Sequence, residues 1–448
     1  MRLAVAMHVR MLGTGSSDGW PNPWCGCASC HAATAAGVLR GQTSALVDGR
    51  LLLDLGHDGV RACLRQGVDL TGVEAVLVTH AHPDHHALPA WMWRGWVPSP
   101  RPLTLVGPPA VLADAAGHLD PSVTTVQVDP GDRVQVAGYD VVALAATHAG
   151  PEAGPAVLYD LTDAAGTRLL WATDTGVLSD QALRLVQGRA YDAVLLDLTS
   201  AHQPVHHDLR TWPEQVAELR RRGAVVETTA VHAIHLGHDN PPPAELDIVL
   251  AGWGASALRD GDLLQLGDSP PPTPHRPSRV LVIGGARSGK SAYAEQRLAA
   301  EPAVTYVATA PPREGDADWA ARVRAHAVRR SASWTTVETG DVAGQLARST
   351  RPLLVDDLGL WLTRVVDDAG AWDGPLDVVQ EAVDMLVEAW RGCRVTAVLV
   401  APEVGSGVVP SHASGRRFRD LLGAATTRLA AASDEVVQVV AGLPRSLR

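Results

Sequence analysis

The sequence predicts a two-domain α/β protein, and three observations lead to this prediction. The 448 residues correspond to about two or three domains of ordinary size. Hydrophobic residues make up 46% of the chain and charged residues 19%, a balance that supports packed cores and excludes general disorder. Short apolar segments alternate with helix-like segments in both halves of the chain, and this alternation is typical of α/β folds.

A proline-rich segment separates two halves of different charge. Residues 269–277 contain five prolines, which favour polyproline II and form a semi-rigid spacer, unless this is a surface loop within one domain. Residues 1–278 carry 18 basic and 29 acidic residues, the whole net charge of −11, whereas 20 basic and 20 acidic residues balance in 279–448. We therefore predict domains at 1–268 and 279–448, joined by a linker at 269–278.

The expected location is the cytoplasm. No apolar run approaches the roughly 20 residues that cross a bilayer. The first ten residues are too short and too mixed in character for a signal peptide.

Apolar segments predict strands in both domains. In the first domain the predicted strands are 75–78, 103–106, 141–145, 169–172 and 194–196, and residues 211–221 are predicted as a helix. In the second domain they are 280–283, 304–307, 353–356, 395–400 and 436–440, separated by helical stretches. The second pattern predicts a parallel sheet.

A histidine-rich motif follows the first of these strands. His80, His82, Asp84 and His85 form an H-x-H-x-D-H pattern that places imidazoles and a carboxylate at one strand end. These ligands suit zinc, iron or manganese. Together with distant ligands they predict two metals a few ångströms apart, which activate a hydroxide for attack on phosphorus or a carbonyl carbon.

This motif resembles that of the metallo-β-lactamase superfamily, and the resemblance extends over about 1–268, including a glycine-containing turn at 12–16. It implies an αββα metallo-β-lactamase fold that holds two divalent metals, zinc or manganese. It implies His80, His82 and His148 as ligands of one metal, Asp84, His85 and His232 as ligands of the other, and Asp174 as the bridging carboxylate.

Three cysteines, Cys25, Cys27 and Cys30, lie within six residues. A disulfide is a poor interpretation for a cytosolic chain whose other two cysteines are isolated, and a closed structural zinc needs four ligands. The segment resembles the cyclic-phosphate phosphodiesterase branch of the superfamily, which implies a structural zinc with His235 as the fourth ligand. The same resemblance implies that His206 assists protonation of the leaving group, with His207 as a near-equal candidate.

The charge of the first domain limits the class of substrate that it can bind. Long polyanions require a basic surface, so a domain of charge −11 indicates a small phosphate ester or cyclic diester and no nucleic-acid partner.

The alternative is a metallo-nuclease, similar to the tRNase Z relatives that share the metal motif, joined to an unrelated P-loop kinase. In a third interpretation, one of the two domains is not an enzyme and serves only as a degenerate scaffold.

A phosphate-binding loop opens the second domain. The pattern G-x-x-x-x-G-K-S comprises Gly284, Gly285, Ala286, Arg287, Ser288, Gly289, Lys290 and Ser291. Its glycines let backbone amides face phosphates, Lys290 reaches the β- and γ-phosphates, and Ser291 holds Mg²⁺. Lys290 is the only lysine of the chain, at a position that the planar arginine fork does not suit. Asp356, or Asp357 beside it, is the predicted acid next to the Mg²⁺.

Residues 279–448 resemble the adenosylcobinamide kinase/adenosylcobinamide-phosphate guanylyltransferase family. Besides the loop, the segments that carry the resemblance are 306–310, 321–326, 334–338, 403–410, 417–420 and 429–436, in the order of the family. The resemblance implies phosphorylation of adenosylcobinamide by ATP or GTP with Mg²⁺, followed by transfer of GMP from GTP through a covalent histidine. It also implies a homo-oligomer, a trimer.

The resemblance assigns further residues of the second domain. His326 matches the histidine nucleophile, and Arg322, one helical turn earlier, matches a nucleotide contact. Glu403 is either a nucleotide contact or a structural carboxylate. The chain departs from the family pattern at Pro402, Thr426 and Thr427.

The two resemblances together predict a fused enzyme of cobalamin biosynthesis or salvage. The linkage suggests that the hydrolase removes a phosphate from a related ester, α-ribazole phosphate.

Overall fold

A computed structural model describes residues 7–150, 154–200, 204–267, 278–310 and 330–448, without the side chains of residues 149 and 150. The chain divides into two compact units, Met1–Pro274 and His275–Arg448. The division falls in the segment predicted as a linker, of which only Ser278 is among the described residues.

The first unit contains two seven-stranded sheets. In spatial order, the first sheet comprises β14 (Leu263–Leu266), β1 (Met7–Gly13), β2 (Ser44–Val47), β3 (Leu51–Leu53), β4 (Ala75–Leu77), β5 (Leu103–Gly107) and β6 (Val123–Gln127). The second sheet comprises β13 (Ser256–Ala257), β12 (Ala230–Ile234), β11 (Ala193–Asp197), β10 (Arg168–Ala172), β9 (Gly154–Thr162), β8 (Tyr139–Gly150) and β7 (Arg133–Val136). Strands β3 to β6 are mutually parallel, as are β10 to β13, and the remaining pairs are antiparallel.

Helices cover the outer faces of these sheets. They are α1 (Ala28–Ala35), α2 (Gly59–Arg65), α3 (Leu88–Gly95), α4 (Pro109–Ala115), α5 (Asp180–Val186), α6 (Thr211–Arg221) and α7 (Pro243–Gly252). Leu51 and Leu53 join the core between the sheets, whereas Leu52 packs with Cys63 of α2 and Trp91 of α3 on the other face. This alternation follows from the two-residue period of a strand and gives the predicted αββα layers.

The second unit contains one seven-stranded sheet with helices on both faces. In spatial order its strands are β17 (Thr335–Glu338), β16 (Thr305–Ala308), β18 (Leu353–Asp356), β19 (Ala397–Pro402), β15 (Arg279–Gly284), β20 (Glu435–Val440) and β21 (Leu443–Ser446). Every pair is parallel except β20 with β21. The helices are α8 (Lys290–Arg297), α9 (Val342–Arg348), α10 (Leu358–Asp368), α11 (Asp377–Gly392) and α12 (Ala413–Ala431).

Apolar side chains of the same strand enter two cores in the second unit. Leu281 packs with Trp361 of α10 and Trp390 of α11, while its neighbour Val282 packs with Ala294 of α8. Burial on both faces explains why these strands read as continuous apolar runs in the sequence. Within the described parts of the chain, no helix combines the length and the apolar character needed to span a membrane.

Candidate metal centre and nucleotide site

Strand ends of both sheets bring a group of histidines and aspartates together in the first unit. The loop after β4, the end of β8 and the segments after β10 and β12 meet there. The residues are His80, His82, Asp84, His85, His148, Asp174 and His235, named here the histidine–aspartate cluster. Six of these seven were predicted as metal ligands in this centre from the sequence.

One half of the cluster consists of three histidines and Asp174, with ligand atoms within 4.8 Å of one another. His82 Nδ1 lies 2.9 Å from His80 Nε2 and 3.2 Å from His148 Nε2. Asp174 Oδ2 lies 3.8 Å from His80 Nε2. These atoms converge on one point, as the ligands of a single cation do.

The other half consists of Asp84, His85, His235 and again Asp174. Asp174 Oδ1 lies 3.1 Å from His235 Nε2 and 3.2 Å from His85 Nε2. Asp84 Oδ2 lies 3.3 Å from His85 Nε2 and 3.4 Å from His235 Nε2. Each oxygen of Asp174 therefore faces a different half, which is the geometry expected of a bridging carboxylate.

The donor set fits divalent cations. A neutral imidazole carries one N–H, so facing ring nitrogens expose lone pairs that a cation satisfies in a buried site. Burial lowers the pKa of His80 well below its ordinary value and keeps the ring in the neutral form that binds metals. Burial acts to raise the pKa of Asp174, but His235 and His85 hold it well below its ordinary value. Neutral imidazoles and a carboxylate are the ligands of zinc and manganese sites.

The structure corrects the assignment of two histidines. His232 was predicted as a ligand in this cluster, but it lies within β12, where its Nδ1 is 2.9 Å from Ser256 Oγ of the neighbouring strand. His235 was predicted for the cysteine site, yet it is the first residue after β12 and points into the cluster. In the structure, the residue that reaches the cluster is the one that follows the strand end, three positions after the one expected.

His206 lies at the edge of the cluster. Its Nδ1 is 2.7 Å from Asp197 Oδ2, and its ring stacks on that of His235 with centroids 5.5 Å apart. Burial acts to lower the pKa of His206, but Asp197 raises it to about 9. The alternative, His207, is fully buried with Nδ1 3.2 Å from Thr211 Oγ1. Of the two, only His206 faces the cluster.

Two buried aspartates that support these histidines were missed from the sequence. Asp54 Oδ2 lies 3.1 Å from His85 Nδ1 and accepts a hydrogen bond from Trp171 Nε1, while its Oδ1 accepts one from the Thr79 backbone. Asp197 supports His206 in the same way. A carboxylate behind a ligand fixes the tautomer and orientation of the imidazole. The signal in the sequence was an aspartate that ends, or directly follows, an apolar strand.

A second metal-type cluster lies in the first unit and consists of Cys25, Cys27, Cys30 and His238, with ligand atoms within 4.8 Å of one another. We name it the thiol-rich cluster. His238 Nδ1 lies 3.5 Å from Cys25 Sγ and 3.9 Å from Cys27 Sγ. The predicted fourth ligand, His235, is thus replaced here by His238. The backbone N–H of Cys30, together with His238, lowers the pKa of Cys27 to about 6. Three thiols and an imidazole fit a tetrahedral zinc site.

The glycine-rich loop of the second unit joins β15 to α8, as expected. Gly289 has φ +93°, a left-handed conformation that glycine adopts without strain. A Cβ atom on Gly284 would lie 2.5 Å from Ser288 Oγ and 2.7 Å from the Val439 carbonyl oxygen. Lys290 Nζ donates to the carbonyl of Gly285 at 3.4 Å, which folds the ammonium over the loop. The loop therefore has the shape of a phosphate cradle at a helix N-terminus.

Asp356, at the end of β18, faces this loop. Its Oδ1 lies 3.4 Å from Ser291 Oγ, and Tyr306 donates to its Oδ2 at 2.8 Å. The alternative, Asp357, caps α10 by accepting from the Leu360 N–H at 2.8 Å. Burial and the neighbouring Asp356 raise the pKa of Asp357 to about 6. Of the two acids, Asp356 is the one whose carboxylate meets Ser291.

Glu403 follows β19, and its carboxylate bonds to the backbone of the turn that comes after it. Its carboxylate accepts the N–H groups of Gly405 at 2.8 Å and Ser406 at 3.2 Å, so it closes its own turn. Its backbone N–H donates to Gly284 at 2.9 Å and ties this turn to the loop. Of the two interpretations of Glu403, these contacts favour the structural carboxylate.

The two residues assigned to the guanylyl step, Arg322 and His326, lie outside the described residues. The described segment resumes at Arg330, whose guanidinium carbon lies 3.7 Å from the centroid of the Tyr306 ring. Arg330 Nη1 also donates to Thr336 Oγ1 at 3.0 Å.

Comparison with known proteins identifies the class of the second unit. Residues 280–447 match the family described as cobinamide kinase / cobinamide phosphate guanyltransferase. The chain is 35% identical over 181 residues to the bifunctional adenosylcobalamin biosynthesis protein CobU of Salmonella typhimurium, covering 37% of this chain and 96% of that protein. It is 40% identical over 178 residues to the protein CobP of Pseudomonas aeruginosa with the same description, covering 38% of this chain and 97% of that protein. The chain therefore belongs to this family through its second unit.

A separate family match lies in the first unit. Residues 50–233 match the β-lactamase superfamily domain, which confirms the predicted fold. A similar solved structure is described as a diphosphatase from the PhnP family, with 21% sequence identity and a TM-score of 0.48, covering 58% of this chain and 98% of that chain. The chain thus joins a domain of the β-lactamase superfamily to a homologue of bifunctional cobalamin biosynthesis enzymes.

Proposed function

We propose that the second unit phosphorylates adenosylcobinamide with ATP or GTP and then transfers GMP from GTP to adenosylcobinamide phosphate. The observation that carries this proposal is that Lys290 folds over the glycine-rich loop while Ser291, at the start of α8, faces Asp356. This arrangement occurs in a segment that aligns with almost the whole length of CobU and CobP. The pathway is cobalamin biosynthesis or salvage.

The residues of the loop suit the kinase step. Backbone amides of the loop and Lys290 hold the β- and γ-phosphates, and Lys290 balances charge as the γ-phosphoryl group moves to the acceptor hydroxyl. Ser291 and Asp356 would hold Mg²⁺, which supplies charge neutralisation at the phosphates when bound. As the new P–O bond forms, the bond between the γ-phosphorus and the β–γ bridging oxygen breaks, the nucleoside diphosphate leaves, and the acceptor hydroxyl loses its proton to solvent.

The guanylyl step rests on His326. Its neutral imidazole attacks the α-phosphorus of GTP, the P–N bond forms, and pyrophosphate leaves. The phosphate of adenosylcobinamide phosphate then attacks the same phosphorus and displaces the histidine. Arg322 holds phosphate oxygens during both displacements.

Labelling tests this proposal. The protein is incubated with Mg²⁺ and GTP labelled in its α-phosphate, then denatured, and a parallel reaction with adenosylcobinamide is analysed for its phosphorylated product. We expect an acid-labile label on the wild-type chain and none on His326→Ala. An unlabelled wild-type chain would contradict the nucleotidyl step, and unphosphorylated adenosylcobinamide would contradict the kinase step.

We also propose that the first unit hydrolyses a small phosphate ester or cyclic diester. The supporting observation is the split of the histidine–aspartate cluster into two halves that share Asp174. Two divalent cations, zinc or manganese, would supply Lewis-acid chemistry there when bound. His206, which contacts Asp197, would donate a proton to the leaving group.

The substrate we propose for this unit is α-ribazole phosphate, because the unit is fused to a cobalamin enzyme. The test is release of phosphate from α-ribazole phosphate by the metal-loaded full-length chain, with His80→Ala as the inactive control. Cleavage of cyclic ribose phosphates without hydrolysis of α-ribazole phosphate would contradict this substrate and retain the phosphoesterase class.

A further inference from the structure

The two metal-type clusters of the first unit share one short segment of chain. His235 belongs to the histidine–aspartate cluster and His238 to the thiol-rich cluster. Only Leu236 and Gly237 separate them. Three peptide bonds therefore connect a residue of one cluster to a residue of the other.

The shared segment is held in an unusual conformation. His235 has φ +55°, in the left-handed region that side chains other than glycine rarely adopt. Thr199 Oγ1 lies 2.7 Å from His235 Nδ1 and 3.0 Å from its carbonyl oxygen. A Cβ atom on Gly237 would lie 3.0 Å from the Thr199 carbonyl oxygen and 3.2 Å from Ser16 Oγ. Such a conformation persists only where the surroundings fix it.

The turn at residues 14–18 provides part of these surroundings. Leu236 N–H donates to the Thr14 carbonyl at 3.0 Å, and Ser16 N–H donates to the Leu236 carbonyl at 3.2 Å. These backbone bonds tie the shared segment to the part of the chain that leads directly to the three cysteines.

Asp18 makes a third tie through its side chain. Its Oδ2 lies 3.4 Å from His238 Nε2, while His238 Nδ1 faces the thiols. Ser16 Oγ donates to Asp18 Oδ1 at 2.8 Å, and Asn22 Nδ2 donates to Asp18 Oδ2 at 2.6 Å. A carboxylate on the far nitrogen of an imidazole fixes the tautomer in which the near nitrogen offers its lone pair. Asp18 thus aims His238 at the thiols.

We propose that a cation in the thiol-rich cluster positions His235 for the histidine–aspartate cluster, and that Asp18 is the positioning residue that orients His238 for this cation. The inference rests on the proposed metal centre of the first unit. It assigns to the thiol-rich cluster a role beyond local stability: loading it raises the affinity of the other cluster for metal.

The test is a titration of the metal-free full-length chain with Co²⁺. Thiolate ligation gives Co²⁺ a sulfur charge-transfer absorption, which reports the thiol-rich cluster alone. Total bound cobalt per chain, measured after dialysis, less the cobalt that the thiolate absorption reports, then gives the occupancy of the histidine–aspartate cluster. In Cys25→Ser, we expect the thiolate absorption to fall and the dissociation constant of the histidine–aspartate cluster to rise about tenfold or more.

The second variant is Asp18→Asn, which keeps the shape of the side chain and removes its charge. We expect it to weaken Co²⁺ binding at the thiol-rich cluster by about 10- to 100-fold. Excess Co²⁺ should restore both the thiolate absorption and the wild-type affinity of the other cluster. Matched controls are Cys393→Ser in the second unit and Asp69→Asn, an exposed carboxylate that bonds only to Thr71 among the described residues. Both controls should titrate as the wild type does, and all metal-free forms should melt at the same temperature.

Two results would overturn the inference. One is a Cys25→Ser chain that loses the thiolate absorption yet binds metal at the histidine–aspartate cluster with wild-type affinity. The other is a wild-type chain that never develops the thiolate absorption. A wild-type chain that shows the coupling but hydrolyses no phosphate ester would contradict the proposed function and leave the coupling in place.

Discussion

At the scale of single residues, the pair His232 and His235 gives a direct test of the metal centre. His235→Ala removes a nitrogen that faces Asp174, so we expect the cluster to lose cation and hydrolysis to fall by more than about 100-fold. His232→Ala removes a ring that contacts Ser256 instead, so metal content should stay at the wild-type value. Metal analysis of both purified variants shows whether His235 or His232 binds the metal. Equal metal loss in both variants would show that the cluster is wrongly assigned.

Tyr306 is a second residue whose role follows from its contact. It donates to Asp356 Oδ2, so Tyr306→Phe leaves that carboxylate free to turn away from Ser291. We expect the Mg²⁺ concentration for half-maximal kinase activity to rise about tenfold, because a hydrogen bond to a charged group contributes about 1.5–3 kcal/mol. Nucleotide binding without Mg²⁺ should not change.

The control for Tyr306 is Thr336→Ala. This change removes one hydrogen-bond partner of Arg330 but leaves the bond from Tyr306 to Asp356 in place. An unaltered Mg²⁺ requirement in Tyr306→Phe, or an equal rise in both variants, would contradict a positioning role for Tyr306.

At the scale of elements, the sequence located ten of the strands but did not fix where each of them ends. Histidines recur at positions 232, 235 and 238, and their equal spacing carries no information about which one follows the strand. The pairing of β12 with β11 and β13 ends the strand at Ile234, so His235 is the histidine that follows the strand. The supporting acid Asp54 was missed for a related reason, because its partner His85 follows a different strand and becomes its neighbour only when β3 pairs with β4. Asp197 lies close to His206 in the sequence, but the sequence does not show that the two side chains face each other.

The loop between β15 and α8 gives a prediction at this scale. Gly284→Ala places a Cβ atom against the Val439 carbonyl of β20, so we expect a loss of about 1–3 kcal/mol in the free energy of unfolding of the second unit and weaker nucleotide binding. Gly285→Ala is the matched control, because its Cβ atom meets nothing within 4 Å, and its effect should stay within about 0.5 kcal/mol. Thermal and denaturant unfolding measure both, and equal destabilisation would show that the close approach at Gly284 is not what the loop requires.

At the scale of the whole molecule, each unit has its own cores. The buried clusters of the first unit draw on residues before 267, and those of the second on residues after 279. We therefore expect fragments 1–268 and 278–448 to fold separately and to retain their own metal binding and nucleotide turnover. Circular dichroism and activity of the fragments measure this, and a fragment that is unfolded alone but folds when the other is added would contradict it.

The overall architecture was predictable because its signals are local. Strands buried on both faces read as apolar runs, and the phosphate loop carries its function within eight consecutive residues. The histidine–aspartate cluster, in contrast, is assembled from segments as far apart as His80 and His235, so its final membership needed the fold.

The single lysine has a practical consequence for chemistry on this protein. Lys290 carries the only ε-amino group of the chain, and it lies over the phosphate loop. An amine-selective reagent therefore meets one lysine target, and a nucleotide in the loop shields it. The rate of acylation at Lys290, followed by mass spectrometry, would then measure nucleotide occupancy directly. This measurement needs neither adenosylcobinamide nor turnover.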